Sequence, residues 1–165
     1  MVRTPNLDVE RWFAGRKLPA DKEKMLRRVR DLILAADERM SDLVEHGTVQ
    51  FAYRNIMAGF VQLSAPAVSL MFNVGASIPG RFPHLEGDGP NARFMRFANL
   101  PEVNRRAGEL GRIVVAWCKL QDQTPASSGA NGVPAKKKKT VPAKKKTASA
   151  KKKVGRRVAV VRGGR

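Results

Sequence analysis

The sequence predicts an α+β domain: a small antiparallel sheet of about four strands packed with helices, followed by a disordered tail. Three observations lead there. Two stretches repeat their apolar residues at helical spacing, several short stretches between them alternate apolar and polar residues, and the last forty or so residues lack aromatic and acidic side chains altogether. At 165 residues, one globular domain with an appendage is the simplest organisation. The boundary is placed by charge: residues 1–123 carry 18 Lys and Arg against 14 acids, a net +4, whereas residues 124–165 carry 14 basic residues and no acid, a net +14.

Residues 8–14 suit a short helix with Val9, Trp12 and Phe13 on its buried side. Asp21 is the expected N-cap of a second helix reaching Ala36. Its apolar stripe is Met25, Leu26, Val29, Leu32, Ile33 and Ala36, which leaves Arg27, Arg28 and Arg30 to a solvated face. Glu23 and Asp31 lie four residues either side of Arg27 and are its expected ion-pair partners.

Val49, Phe51 and Tyr53 alternate with Gln50, Ala52 and Arg54, as a half-buried strand requires. A tight turn at Arg54-Asn55, with Asn55 taking the positive φ, leads to a second strand over 56–63. Pro66 breaks it, and a third strand follows over 68–73. Residues 55–80 carry no charge and are long enough to span a bilayer, but Pro66, the polar interruptions and the strand-like alternation favour a sheet.

Residues 75–91 hold four glycines and three prolines, a density that reads as a long loop. A fourth strand over 93–97 precedes Asn99-Leu-Pro-Glu102, where Asn99 caps a helix and Glu102 reaches back. Val103, Ala107, Leu110, Val114 and Trp117 form the core-facing stripe of that helix, and Gly108 and Gly111 within it are expected to mark close packing against the sheet.

The strand Val68-Ser-Leu-Met-Phe-Asn-Val-Gly-Ala76, the turn Leu85-Glu-Gly-Asp-Gly89 and the strand Ala92-Arg-Phe-Met-Arg-Phe97 resemble the YdhG-like bacterial domain of unknown function. The likeness runs in outline over 7–121 and is specific only over 68–97. The family's glutamate and its Pro-x-Phe before the first hairpin stand here as Ser41-Asp42 and Val49-Gln-Phe51. The resemblance implies a two-layer α+β domain without a recognised catalytic centre. Some relatives are described as frataxin-like iron chaperones, which would make His84, Glu86 and Asp88 the residues to consider for metal; the residue pattern itself fits ordinary turn chemistry, and neither a metal site nor a cofactor is expected.

No catalytic motif emerges. Glycine runs of nucleotide-binding type are missing, and His46 and His84 sit in no hydrolase or metalloprotease pattern. Cys118, the single cysteine, falls on a helix face expected to be buried. The alternation over 93–97 invites a base-stacking reading, but Met95 and Phe97 share one face and suit a core. The first residues have no apolar run of signal-peptide length, so a cytoplasmic location is expected.

The tail carries the clearest functional signal. Pro134-Ala-Lys-Lys-Lys138 returns as Pro142-Ala-Lys-Lys-Lys146 and again as Ser149-Ala-Lys-Lys-Lys153. Such sequence has too little apolar surface to fold and resembles the tails of linker histones and histone-like nucleoid proteins. Its cations are Lys136, Lys137, Lys138, Lys139, Lys144, Lys145, Lys146, Lys151, Lys152, Lys153, Arg156, Arg157, Arg162 and Arg165. Mobile ammonium groups suit phosphates rather than base edges, which makes DNA the first expectation for the partner and RNA the second, with a nucleoid location. No amphipathic helix or acylation signal points to a membrane. A metal-handling or small-ligand protein, located but not otherwise served by its tail, is the alternative.

Overall fold

A computed structural model describes residues 4–124. The expected disordered arm and its fourteen cations lie outside the described residues. The elements run α1 (Leu7–Ala14), α2 (Ala20–Ala36), β1 (Ser41–Glu45), β2 (Thr48–Tyr53), β3 (Asn55–Val61), β4 (Val68–Phe72), a 3-10 turn (Gly75–Ser77), β5 (Arg93–Phe97), α3 (Leu100–Arg105) and α4 (Ala107–Gln123). The strands form one antiparallel sheet in chain order, β1 to β5. The α+β class therefore holds, with a fifth strand, β1, added to the expected four.

One face of the sheet and the helices enclose the core. Val49, Phe51, Ala58, Phe60, Leu70, Phe72, Met95 and Phe97 point inward from the strands; Val9, Phe13, Leu26, Val29, Ile33, Leu110, Val114 and Trp117 meet them from the helices, all at most 1 % exposed. The helical stripes and the alternation of β2, β4 and β5 predicted these residues, because side chains two apart share a sheet face and those three or four apart share a helix face; Ala58 and Phe60 of β3 were not singled out.

Local starts and turns depart from expectation in instructive ways. Asn6 caps α1 by accepting from the Asp8 amide at 3.1 Å. The cap of α2 is Pro19 rather than Asp21, whose side chain stays solvated. Proline's fixed φ, here −56°, sets the chain's entry, and its carbonyl accepts the Glu23 amide at 2.9 Å. At the β2–β3 turn Arg54, not Asn55, takes the positive φ of 59°. The left-handed conformation costs a non-glycine residue about 1 kcal/mol. Arg54 has compensating contacts: its guanidinium donates to the Gln121 carbonyl at 3.0 Å and lies over the Tyr53 ring. Met57 is then the extra residue of a bulge, since Phe51 pairs with Ala58 but Ala52 with Ile56.

The 75–91 loop is not wholly irregular. It opens with the 3-10 turn, and Glu86 exchanges both backbone hydrogen bonds with Phe94, at 2.7 and 2.8 Å. Asn99 caps α3 as predicted, accepting the Glu102 amide at 2.9 Å, while the Glu102 carboxylate reaches one residue further back, to the Ala98 amide at 2.6 Å.

The last helix is interrupted at Arg106, whose φ of −92° and ψ of 4° separate α3 from α4. Gly108 and Gly111 do not approach the sheet: a Cβ on Gly108 would meet only Arg112, and one on Gly111 only Ala36 of α2, both at 3.9 Å. Among the described residues nothing requires either glycine. Gly108→Ala and Gly111→Ala are each expected to raise the unfolding free energy by about 1 kcal/mol, by removing backbone freedom from the unfolded chain. Chemical denaturation measures it; a loss of stability would mean that the helix backbone must approach something closely.

Candidate nucleic-acid interface

The cationic segment follows directly on α4, so the end of that helix is where fold and segment join. Its last turn is clamped. Thr124 bonds through its hydroxyl to the Leu120 carbonyl at 3.0 Å, and the Tyr53 hydroxyl donates to Asp122 at 2.9 Å. Arg39 bridges Asp122 and Asp37, and Asn55 donates to the Gln121 side chain at 2.8 Å. The Tyr53 hydrogen bond, reinforced by Arg39, holds the Asp122 carboxyl below its usual range; the Arg39 hydrogen bond pulls Asp37 down to about 2.

Seven of the thirteen described arginines pair with acids: Arg11, Arg27, Arg30, Arg39, Arg54, Arg96 and Arg106. Arg27 meets Glu23 at 2.8 Å, as the four-residue spacing predicts, but its second partner is Glu10 of α1, also at 2.8 Å, and not Asp31. Arg30 is a correction to the solvated face. It is buried, with Nε 2.5 Å from Asp42 and Nη1 2.7 Å from Glu10, because its position four residues after Leu26 puts it on the inward stripe. The Asp42 side chain is only 8 % exposed. The Arg27 hydrogen bond, with help from Arg30, keeps the Glu10 carboxyl below its ordinary value despite partial burial. Arg96 pairs with Glu86 at 2.6 Å, Arg106 with Glu102, and Arg11 with Asp8 at 3.1 Å.

The strand weighed for base stacking divides between two faces. Met95 and Phe97 are fully buried; Phe94 lies opposite, half-buried, with the Arg96 guanidinium 5.4 Å from its ring. One aromatic on the outer side is a poor platform for successive bases.

The loop residues considered for metal part company. The His84 amide and its Nδ1 both engage Glu109 of α4, at 2.9 and 2.6 Å, whereas Glu86 turns to Arg96 and Asp88 is exposed. Burial raises the Glu109 carboxyl, but the His84 hydrogen bonds outweigh it and the net direction is down. Among the described residues no three His, Cys, Asp or Glu gather closely enough to hold a metal ion. Cys118 is buried as expected, and burial pushes its thiol up to about 11, far from the thiolate a nucleophile needs. His46 occupies the β1–β2 turn, distant from His84 in the chain, with a φ of 52°. Among the described residues no helix is long and apolar enough to cross a membrane.

Sequence reasoning missed three buried charges, Lys22, Arg30 and Glu109. Lys22 is 5 % exposed, and its ammonium donates to the Leu63 and Ala65 carbonyls of the β3–β4 turn. Burial lowers its pKa. The signal was available for Lys22 and Arg30 alike, since both fall on the α2 stripe, three and four residues from Met25 or Leu26. Compared with family models, with curated proteins and with solved structures, the chain gives no match.

Proposed function

We propose that this chain is a non-enzymatic domain attached to DNA by the polycationic segment 124–165, without sequence specificity, and located at the nucleoid. One observation carries the reading: fourteen cations and no acid within 42 residues, against a net of only +4 in the rest of the chain. The arrangement of the fold supports that division of labour. Seven of the thirteen described arginines pair with the domain's own carboxylates, and the excess of positive charge over residues 1–123 is only four. Lysines in clusters of three or four displace condensed cations from a duplex carrying one charge per about 1.7 Å, and that release supplies affinity without reading bases. The tail's likeness to histone-like sequences supports a tethered module.

The test is binding to duplex DNA and to RNA over a salt series, using the full chain and a chain ending at Thr124. Neutralisation of about ten phosphates gives a log–log slope near −9 for the full chain on DNA. The shortened chain is expected to lose this binding and keep its circular dichroism. Undiminished affinity in residues 1–124, or binding indifferent to salt, overturns the proposal, and preference for RNA redirects it.

A further inference from the structure

Among the described residues no helix covers the second face of the sheet, and apolar side chains stand there among the polar ones. Strand register places Leu43, Gln50, Gly59, Met71 and Phe94 in one row across all five strands. In the next row stand Glu45 beside Thr48 and Val61 beside Ser69 and Arg96. All point away from the core, because they alternate with the inward set. The Gln50 amide lies flat over Gly59, where a Cβ would come within 2.5 Å of its oxygen. Leu43, Val61, Met71 and Phe94 are half-buried where alternation would ordinarily supply polar groups.

From this arrangement we infer that the face is a two-fold interface with a second copy of the same chain. The charges specify the partner. Glu45 ends its row on β1, and Arg96 ends the same row on β5. A two-fold axis running along β3, between two facing sheets, lays β1 of one copy across β5 of the other. Glu45 then meets the second copy's Arg96, and the reciprocal contact forms at the opposite corner. By the same operation Leu43 meets Phe94 and Gln50 meets Met71, while Gly59 and Val61 face their own counterparts. Arg96 uses Nη1 for Glu86, and the rest of its five N–H groups can serve a second carboxylate. A nucleic acid is the wrong occupant, since this face and its border carry two carboxylates, Glu45 and Glu86, against the one guanidinium of Arg96.

Size sets the strength. Five strands at about 4.8 Å spacing and about 17 Å long offer about 400 Å² of flat area per copy. That lies below the standard of about 800 Å² per partner, so the dimer is weak and concentration-dependent.

The inference is independent of the DNA proposal and is tested without nucleic acid. Sedimentation equilibrium of the full chain at about 0.15 M salt is expected to show a mass rising from 18.2 kDa towards twice that value with concentration. Glu45→Arg and Arg96→Glu, both at half-exposed positions, should each weaken self-association at least about tenfold through like charges at both corners. Mixing the two variants should restore association, because each corner then pairs opposite charges. A full chain that stays at 18.2 kDa up to about 0.5 mM sinks the inference, as do variants that associate undiminished or a mixture no better than its components.

Discussion

Replacing Asp42 by Ala is expected to lower the unfolding free energy by about 3–5 kcal/mol. The change strands the Arg30 guanidinium, whose side chain is 10 % exposed, between α1, α2 and β1. Glu10 remains to it at 2.7 Å, but Glu10 also serves Arg27, and one shared carboxylate cannot satisfy two fixed forks. The pair itself contributes less than its rupture costs, because both charges gave up hydration to form it. The double variant Arg30→Met, Asp42→Leu should therefore recover most of the loss, with Glu10 still held by Arg27. Urea denaturation of the three variants measures both effects. A loss under about 1 kcal/mol for Asp42→Ala would show that water reaches the guanidinium.

Phe51→Ala is expected to cost about 3–5 kcal/mol, and Phe60→Ala about the same. Both rings are at most 1 % exposed and meet edge to face, centroids 5.4 Å apart at 88°. Each truncation removes the ring's transfer energy and leaves a void that β-sheet and helices on either side are too constrained to fill. A domain of this size has about 5–15 kcal/mol in total, so either change should leave it near the threshold of unfolding. The double variant should cost less than the sum by about 0.5–1.5 kcal/mol, the worth of the ring–ring contact. Thermal denaturation followed by circular dichroism reads all three; strict additivity would mean that the rings merely share a neighbourhood.

The parts of the fold governed by periodicity were legible in the sequence. The stripes of α1, α2 and α4 and the alternation of β2, β4 and β5 each named the residues found in the core. β1 was not foreseen, because Ser41, Asp42 and Glu45 dilute the alternation of so short a strand; Gly47 after a residue able to take positive φ was the available sign of a turn there. Arg54 and Pro19 were missed for other reasons. Arg54 is supported by Gln121, far along the chain, and local propensity carries no trace of that contact; Pro19 was a local sign left unread, since proline's own φ presets a helix start. The buried charges fell between the two: Lys22 and Arg30 lay on the inward stripe by spacing, yet their partners, two carbonyls and an aspartate on β1, are assembled only by the tertiary fold. The polycationic segment is legible only as charge and composition.

The sheet's two lateral strands are both occupied along part of their length. On β1, the Asn6 side chain donates to the Asp42 carbonyl at 2.7 Å, and on β5 the Glu86 backbone takes up Phe94. Such plugs, with Asp42 and Glu45 on a strand only five residues long, discourage a neighbouring molecule from adding its own backbone to the ladder. Copies of the domain can thus lie side by side at high local concentration without templating fibrils.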